Sequence, residues 1–352
     1  MALLPLSPSY AHARAAFLDA AGAAGCRTTS HVHPDLGLDG EELAVDVAEL
    51  GPEDAAHVVL VVSATHGVEG YCGSALQRNW LANAASERPD DVRLVLVHAL
   101  NPYGFSWVRR VNEDNVDLNR NFVDWSAPLP PDDGYAELAD LLVPASWSDA
   151  EQERTMLALI AVAEEVGLER LQGIVSRGQY THPDGVFYGG SGPVWSNRWL
   201  HRWCASSLGS ARSLVVVDLH TGLGPNGVGE AICVERVGTP GHDRARARWG
   251  EVTSMLDGGS SSAVLVGDWL TDADRLLPAG EVTAICLEYG TVDPLTVLQA
   301  LRADAWLHAH GDPVGPDAAA IRAQVRAAFA DDDPAWLDAV WARFLEILGG
   351  AW

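Results

Sequence analysis

The sequence predicts a single α/β domain in which helices cover both faces of a central sheet. Four short apolar runs rich in valine are typical of strands that are buried on both faces, and they begin at Val58, Val92, Leu214 and Val282. Helical patterns alternate with these runs, and no internal repeat or low-complexity linker interrupts them. We therefore expect one α/β/α sandwich over residues 1–352, with a mixed, mostly parallel twisted sheet.

Local signals place the regular elements along the chain. Ser7 followed by Pro8 is a helix cap before a proline at the first helical position, which predicts a helix over residues 7–24. The further elements are expected, in chain order, as a helix at 70–84, a strand at 92–100 with a turn after it, a helix at 148–171, strands at 214–220 and 230–237, a helix at 242–256, strands at 263–266 and 282–288, and a helical C-terminal segment at 294–352.

Residues 124–212 are expected to form an inserted loop and helix region. Its first part is rich in proline, aspartate and tryptophan, and Ser148 begins a capping-box pattern that starts its long helix. Residues 173–197 contain too many glycines and prolines for regular structure, and loops of this length are usually lids or binding loops. We therefore predict that Tyr180 and Tyr188 of this loop contact substrate.

The charge balance argues against two classes of partner. The formal net charge is −25 at pH 7, whereas nucleic acids and anionic membranes are bound through clustered Lys and Arg side chains. The sequence contains no lysine, which excludes a lysine Schiff base and a P-loop because both need the ammonium group. We therefore expect a protein that binds neither nucleic acid nor membranes.

Cysteine usage and hydropathy indicate a cytoplasmic location. The five cysteines are scattered and contain no CxxC pair, so they predict neither a disulfide framework nor a thiolate zinc site. Buried free thiols in a reducing compartment are the simplest account. No apolar run reaches the roughly 18 residues that span a bilayer, and the N-terminus lacks the basic and apolar regions of a signal peptide.

Residues with metal-binding or catalytic chemistry lie at predicted strand ends. His66 and Glu69 follow the first strand, three residues apart in a turn that enters a helix, so their side chains can meet at one point. His220 ends the third strand, and Glu288 ends the fourth. Because α/β proteins place their chemistry just beyond the carboxyl ends of parallel strands, we expect these four groups to form one site.

A polar segment follows the second strand. Residues 107–122 contain arginines and asparagines within a dozen positions, a composition that suits the bidentate grip of a carboxylate. A solvated loop would explain the charges alone. It explains less well why arginine and asparagine occur together just beyond a buried strand.

Two histidines and one glutamate are typical ligands of a catalytic zinc ion, because they leave one coordination position open for water. The metal would lower the pKa of the water toward about 7, and a nearby carboxylate such as Glu288 would accept the proton as water attacks a carbonyl. The developing oxyanion needs a cation, which Arg109 or Arg110 could supply.

Four segments, THGVEG, VDLNRNF, DLHTG and LEYGT, resemble motifs of the zinc carboxypeptidase superfamily. The resemblance is closest to a branch of uncharacterised bacterial proteins near succinylglutamate desuccinylase and aspartoacylase. It runs from about residue 58 to residue 290, with the motifs in the family's order, and it implies a zinc carboxypeptidase-like domain. It also implies one zinc ion per chain, bound by His66, Glu69 and His220, with Glu288 as the general base.

The same resemblance implies roles for the polar segment. Asn119 and Arg120 match the pair that holds the terminal carboxylate of the substrate. Asp117 matches an aspartate that orients the first histidine ligand, which is a sensible task for a neighbouring carboxylate. The arginine that faces the oxyanion stays open between two adjacent positions, with Arg110 favoured over Arg109.

The chain departs from the digestive-type enzymes of this superfamily in two respects. Glu69 and His220 are 151 residues apart, a longer interval than usual, and the excess falls in residues 124–212. The tyrosine that precedes the general base in those enzymes has no counterpart in residues 267–287. The candidate replacements are Tyr180, Tyr188 and Tyr289.

Three functions fit these residues. The first is a zinc metallocarboxypeptidase that removes a C-terminal residue from a small peptide. The second is an amidohydrolase of N-acyl amino acids, which would use the same metal and the same arginine to hold a free carboxylate. The third is a metal-free binding module that has lost catalysis, and the joint presence of three ligands and Glu288 weighs against it.

Overall fold

A computed structural model describes residues 5–277 and 280–352 of the chain. Its centre is an eight-stranded sheet with the strand order β1-β2-β4-β3-β5-β8-β6-β7. Strands β3, β4, β5 and β8 run parallel to one another. The pairs β1–β2, β2–β4 and β6–β8 are antiparallel. The strands are β1 Arg27–Leu36, β2 Glu42–Leu50, β3 His57–Val62, β4 Val92–His98, β5 Ser213–Asn226, β6 Gly229–Cys233, β7 Thr253–Ser254 and β8 Glu281–Gly290.

Helices cover both faces of this sheet. Buried side chains of α1, α2, α10, α11 and α12 belong to the core on one face, and those of α7 and α9 belong to the core on the other. The helices are α1 Tyr10–Ala23, α2 Gly70–Asn83, α3 Pro102–Trp107, α4 Tyr135–Leu142, α5 Asp149–Val166, α6 Leu168–Ser176, α7 Trp195–Ser207, α8 Pro240–Trp249, α9 Ala273–Leu276, α10 Pro294–Ala309, α11 Ala318–Phe329 and α12 Pro334–Ala351.

The valine-rich runs explain the centre of the sheet. Successive side chains of a strand point to opposite faces, and in β3 Val59 and Val61 join one core while Val58 and Leu60 join the other. A strand between two helical layers therefore has to be apolar at every position. The predicted fold class, an α/β protein with a mixed and mostly parallel sheet, is confirmed.

The edges of the sheet differ from the prediction. Strands β1 and β2 were not expected; most side chains of β1 are exposed and its sequence is largely polar, whereas β2 is mostly buried and was missed despite its apolar residues. No strand forms at residues 263–266, where a strand was predicted; the short strand β7 at Thr253–Ser254 pairs with β6 instead. Edge strands bury little surface, so the apolar periodicity that identifies central strands is weak in them.

Several helix boundaries also differ. Ser9, not Ser7, caps α1 through its side chain. The predicted helix at 148–171 is divided into α5 and α6 at Gly167, whose φ of 89° lies in the left-handed region and ends α5. Because α6 runs to Ser176, the irregular loop is shorter than the predicted 173–197. The turn after β4 is the short helix α3, capped by Asn101.

The carboxyl ends of the central strands create the edge where the candidate residues lie. Strands β5 and β8 pair as far as Gly222 and Gly290, whereas β3 already ends at Val62, which pairs with Asp218. The ends of β5 and β8 therefore project beyond β3, and the turn after β3 fills the space beside them. Within the described residues, the helices are too short or too polar to cross a membrane.

Candidate active site

The turn after β3 brings His66 and Glu69 together. A single 3₁₀ turn, Gly67–Glu69, leads into α2 and places the two side chains on the same side, with His66 Nδ1 2.8 Å from Glu69 Oε1. Gly67 is required here because a Cβ atom at this position would collide with the backbone of Gly104. The backbone N–H of Gly67 donates to the carbonyl of Arg110 at 3.1 Å. The turn is thereby fixed to the polar segment.

His220 completes a cluster of three donor groups. It lies in β5, two residues beyond the point where the neighbouring β3 ends, and its Nδ1 is 2.7 Å from Glu69 Oε2 and 3.0 Å from Nδ1 of His66. The three residues are at most 3% exposed, and one ligand atom from each lies within 4.8 Å of the others. The structure therefore brings together His66, Glu69 and His220, the residues that the sequence suggested as metal ligands.

The outer nitrogens of both imidazoles face carboxylates. His66 Nε2 is 3.1 Å from Asp117 Oδ1, and His220 Nε2 is 2.6 Å from Asp218 Oδ2. A carboxylate can only accept, so each neutral ring carries its proton on Nε2 and turns the lone pair of Nδ1 inward. Two lone pairs and the Glu69 carboxylate then point at one place, which is the donor set of a cation.

The charge balance around the cluster fits a divalent ion. Four buried carboxylates surround the imidazoles, and the guanidinium groups of Arg110 and Arg120 lie closest to them as compensating cations. When both imidazoles are neutral and all four carboxylates are ionised, two negative charges are left, and buried charges are costly unless they are paired or bind a metal. The four carboxylates belong to Glu69, Asp117, Asp218 and Glu288.

The pKa directions show a cluster that attracts positive charge: burial would lower the pKa of His220, but Asp218 and Glu69 raise it well above its ordinary value, and a bound cation would replace that proton. Burial alone would raise the pKa of Asp117, but Arg110, Arg120 and His66 hold it well below its ordinary value. Burial acts in the same way on Glu69, and the two histidines lower its pKa instead. Both carboxyl groups are therefore ionised at neutral pH, as a metal ligand and its supporting partner need to be.

Asp218 is a site residue that the sequence analysis missed. In addition to His220, its carboxylate accepts a hydrogen bond from Thr65 Oγ1 at 2.7 Å and one from Trp269 Nε1 at 2.6 Å. The DLH segment indicates this contact, because Asp218 and His220 are two residues apart on a strand and their side chains face the same side. An aspartate that precedes a candidate histidine ligand by two residues should therefore be tested as its hydrogen-bond partner.

Replacing Asp218 by asparagine should weaken zinc binding by about 10–100-fold, the usual effect of losing the carboxylate that supports a histidine ligand. The measurement is competition for zinc with a chelator of known affinity. Asp46→Asn is a matched control, because Asp46 is equally buried but pairs with Arg14 at 2.7 Å. Equal zinc affinities for the wild type and Asp218→Asn would remove Asp218 from the site.

Glu288 lies directly beside His220 in the sheet. The two residues are register partners of β5 and β8, and one Glu288 oxygen accepts a hydrogen bond from the backbone N–H of Leu223 at 2.9 Å. Burial raises the pKa of Glu288 to about 7, and the nearby carboxylate of Glu69 acts in the same direction. A carboxylate with a pKa near neutrality is well suited to accept and return protons.

The structure separates the two adjacent arginines of the polar segment. Arg110 donates from Nε to Asp117 at 3.1 Å and from Nη1 to Glu69 at 3.0 Å. Arg109 lies on the other side and forms a buried ion pair with Asp304 of α10 at 3.0 Å. Of the two side chains, only that of Arg110 contacts the ligand cluster.

Asn119 and Arg120 follow Asp117 in the chain, and both side chains have polar groups that make no hydrogen bond within the described residues. Arg120 donates to the carbonyls of Ser176 and Asn119 through Nε, Nη1 and Nη2, which leaves one N–H on each terminal nitrogen. Asn119 is 4% exposed, and among the described residues its Oδ1 has no hydrogen-bond partner. Unsatisfied buried polar groups are rare, and a ligand is one of their explanations.

The tyrosines differ in their positions. The ring of Tyr188 is in the apolar core and its backbone carbonyl accepts from Asp117, so the structure does not present its side chain to the cluster as predicted. Tyr289 faces the opposite core. Tyr180 is half-buried, and its hydroxyl donates to the carbonyl of Arg120 at 2.7 Å. Of the three, Tyr180 is the one placed beside the Asn119–Arg120 pair.

Comparison with protein families gives one match. A family model described as "Protein of unknown function (DUF2817)" matches residues 6–343. A search of curated proteins finds no match to this chain.

Comparison with solved structures finds similar folds at low sequence identity. Carboxypeptidase A from Helicoverpa armigera has a TM-score of 0.49 and 12% identity, over 92% of this chain and 74% of that chain. A succinylglutamate desuccinylase from Silicibacter sp. TM1040 has a TM-score of 0.41 and 15% identity, over 81% and 67%. An aspartoacylase family protein from Mesorhizobium loti MAFF303099 has a TM-score of 0.37 and 16% identity, also over 81% and 67%.

Proposed function

The chain belongs to the DUF2817 family, and we propose that it is a zinc-dependent hydrolase that cleaves the amide bond next to a free carboxylate of a small peptide. The observation that carries this proposal is the convergence of His66, Glu69 and His220 beside Glu288. Three protein ligands with an adjacent carboxylate are the arrangement of a catalytic site, since a structural zinc site would be closed by a fourth ligand.

The ligand set defines what the metal contributes. A zinc ion held by these residues would lower the pKa of water and polarise a substrate carbonyl. The protein contributes the orientation of the ligands, because Asp117 and Asp218 fix the two imidazole rings through their outer nitrogens. It also contributes a site largely shielded from solvent, in which electrostatic interactions are strong.

Glu288 is the proposed general base. In its ionised form it accepts a proton from the water that attacks the substrate carbonyl, and it then delivers that proton to the leaving amine nitrogen. The hydrogen bond from Leu223 N–H holds the carboxylate at the end of β8 during both transfers. Burial raises the pKa of Glu288, which makes its carboxylate a stronger proton acceptor than an exposed glutamate.

Arg110 is proposed to stabilise the oxyanion. Two of its nitrogens are committed to Asp117 and Glu69, and among the described residues Nη2 makes no hydrogen bond. A fixed guanidinium group beside the ligand cluster can donate to the oxygen that becomes negative in the transition state. The two ion pairs keep it in place without substrate.

Asn119 and Arg120 are proposed to hold the free carboxylate of the substrate. Arg120 keeps one N–H on each terminal nitrogen that can donate to a carboxylate, and the side-chain amide nitrogen of Asn119 is a second donor in the same segment. Tyr180 supports the same region through the backbone of Arg120. This arrangement selects a carboxylate but leaves the acyl side of the substrate unspecified.

Replacing Arg120 by alanine should raise KM by about 10–100-fold for a substrate with a free carboxylate, because a charge-assisted hydrogen bond is lost. The amidated analogue of the same substrate lacks the negative charge and should be affected little. Steady-state kinetics on the matched pair measure both values. Equal losses on the acid and on the amide would contradict recognition of the carboxylate.

The direct test of the proposed activity is a mixture of dipeptides and N-acyl amino acids, followed by mass spectrometry with and without a chelator. Cleavage of dipeptides that stops with chelator supports the peptidase. Cleavage confined to N-acyl amino acids would replace it by the amidohydrolase, which shares the carboxylate grip. If zinc-loaded protein cleaves neither class, the hydrolase proposal is wrong.

A further inference from the structure

The ring of Phe187 lies over both arginines of the candidate site. Its centroid is 5.6 Å from the Arg110 guanidinium carbon and 5.4 Å from that of Arg120. Such distances are typical of cation–π contacts, in which the negative face of the ring attracts a cation. One aromatic side chain therefore contacts the two cations to which oxyanion and carboxylate recognition are assigned.

The backbone of Phe187 is held in an unfavourable conformation. Its φ of 55° lies in the left-handed region, which is a genuine outlier for a bulky residue. Strain of this kind persists only where the surroundings enforce it, and it is concentrated at functional sites.

Hydrogen bonds on both sides of Phe187 enforce this conformation. Gln179 N–H donates to the carbonyl of Phe187 at 3.2 Å, and Asp117 N–H donates to that of Tyr188 at 2.8 Å. Asn115 Nδ2 donates to the carbonyl of Gly185 at 3.0 Å. The loop is thus attached to the segment that carries the arginines.

The position of the ring addresses an electrostatic problem. Arg110 and Arg120 are both buried and repel each other; Arg110 donates to both Asp117 and Glu69, whereas the ion pair of Arg120 with Asp117 is longer, at 3.9 Å. An aromatic face attracts both cations and carries no net charge, so it leaves them available to an anionic ligand. It also keeps water away from their faces, which strengthens their interaction with a carboxylate.

We propose that Phe187 is a positioning residue that holds Arg110 and Arg120 in place and, through Arg120, makes the site selective for substrates with a free acid group. This inference rests on the proposed function, since it assigns specificity at the same site. It adds a residue from the irregular loop to the recognition of the substrate.

The test compares Phe187→Leu, which removes the aromatic face, with Phe187→Tyr, which retains it. The probes are N-acetylglycine and N-acetylglycinamide, which differ in charge, and their binding to zinc-loaded protein is measured by calorimetry. Phe187→Leu should weaken binding of the acid by about five- to thirtyfold, because a displaced Arg120 forms a weaker charge-assisted hydrogen bond with the carboxylate, and change binding of the amide by less than about twofold. Phe187→Tyr should restore most of the affinity for the acid.

A third variant controls for folding. Phe187→Gly removes the ring and also the backbone strain, because glycine adopts a left-handed φ without cost. It should bind the acid as weakly as Phe187→Leu while melting at a higher temperature than Phe187→Ala. A role limited to the shape of the loop would instead lower the affinities for acid and amide together.

The binding measurements test the role of Phe187, and the hydrolysis assay tests the proposed hydrolase activity. Equal affinity for the acid in the wild type, Phe187→Leu and Phe187→Gly would overturn the role of Phe187, as would a wild type that does not prefer the acid to the amide. If the acid binds with the predicted pattern but zinc-loaded protein hydrolyses no peptide or N-acyl amino acid, the role of Phe187 stands and the hydrolase proposal fails.

Discussion

Glu288→Gln should lower kcat by about 10³–10⁴-fold while the protein still binds zinc. Glutamine has nearly the same shape, and its carbonyl oxygen can still accept the hydrogen bond from Leu223, but it cannot take a proton from water. General-base catalysis is worth up to about four orders of magnitude. Steady-state kinetics and metal analysis of the same preparation measure the two quantities.

The pH dependence provides a control for this variant. Glu288 has to be ionised to act as a base, so kcat/KM should fall as the pH drops through its pKa. Burial and Glu69 raise that pKa to about 7, and a bound cation would lower it, so the acid limb should lie at or below pH 7. The residual activity of Glu288→Gln should lack this limb. A variant that retains both the rate and the limb would remove Glu288 from the mechanism.

Arg110→Gln should lower kcat by about 10²–10³-fold, the usual effect of removing one donor to an oxyanion. The guanidinium group lies beside the ligand cluster, held by Asp117 and Glu69, and the neutral amide of glutamine is shorter and uncharged. The measurement is kcat at saturating substrate, together with zinc content. The zinc content shows whether the loss of the ion pair with Glu69 has disturbed the metal.

The neighbouring arginine is a matched control. Arg109→Gln breaks a buried ion pair with Asp304, so it should lower the free energy of unfolding by about 3–5 kcal/mol. Its effect on kcat of the folded protein should be small, since its side chain does not contact the ligand cluster. If Arg109→Gln lost kcat and Arg110→Gln lost only stability, the assignment of the two residues would be reversed.

The sequence predicted the central strands and the residues at their ends well. A strand buried on both faces has to be apolar at every position, so β3, β4, β5 and β8 stand out as valine-rich runs. The carboxyl ends of these parallel strands lie at one edge of the sheet. Residues that follow them, such as His66, His220 and Glu288, are therefore predicted to lie close together. These predictions depend on the burial of the strands and on their parallel orientation, and the apolar runs and the helices between them indicate both.

The sequence was less informative where irregular backbone decides the contacts. Arg109 and Arg110 are adjacent in a segment without periodicity, so the sequence cannot show which of the two side chains faces the cluster. The Tyr188 ring enters the core, and the residue before it, Phe187, has a left-handed φ that no local pattern predicts. Edge strand β1 was missed because most of its residues are exposed and polar, which leaves no apolar pattern to identify it.

The most direct test of the proposed zinc site is the metal content of the protein purified without chelator, measured by elemental mass spectrometry. We expect about one zinc ion per chain in the wild type and in Glu288→Gln, and a value near zero in His66→Ala and His220→Ala, since each removes one of three ligands. A wild-type protein that contains no zinc and takes up none on dialysis would contradict the account.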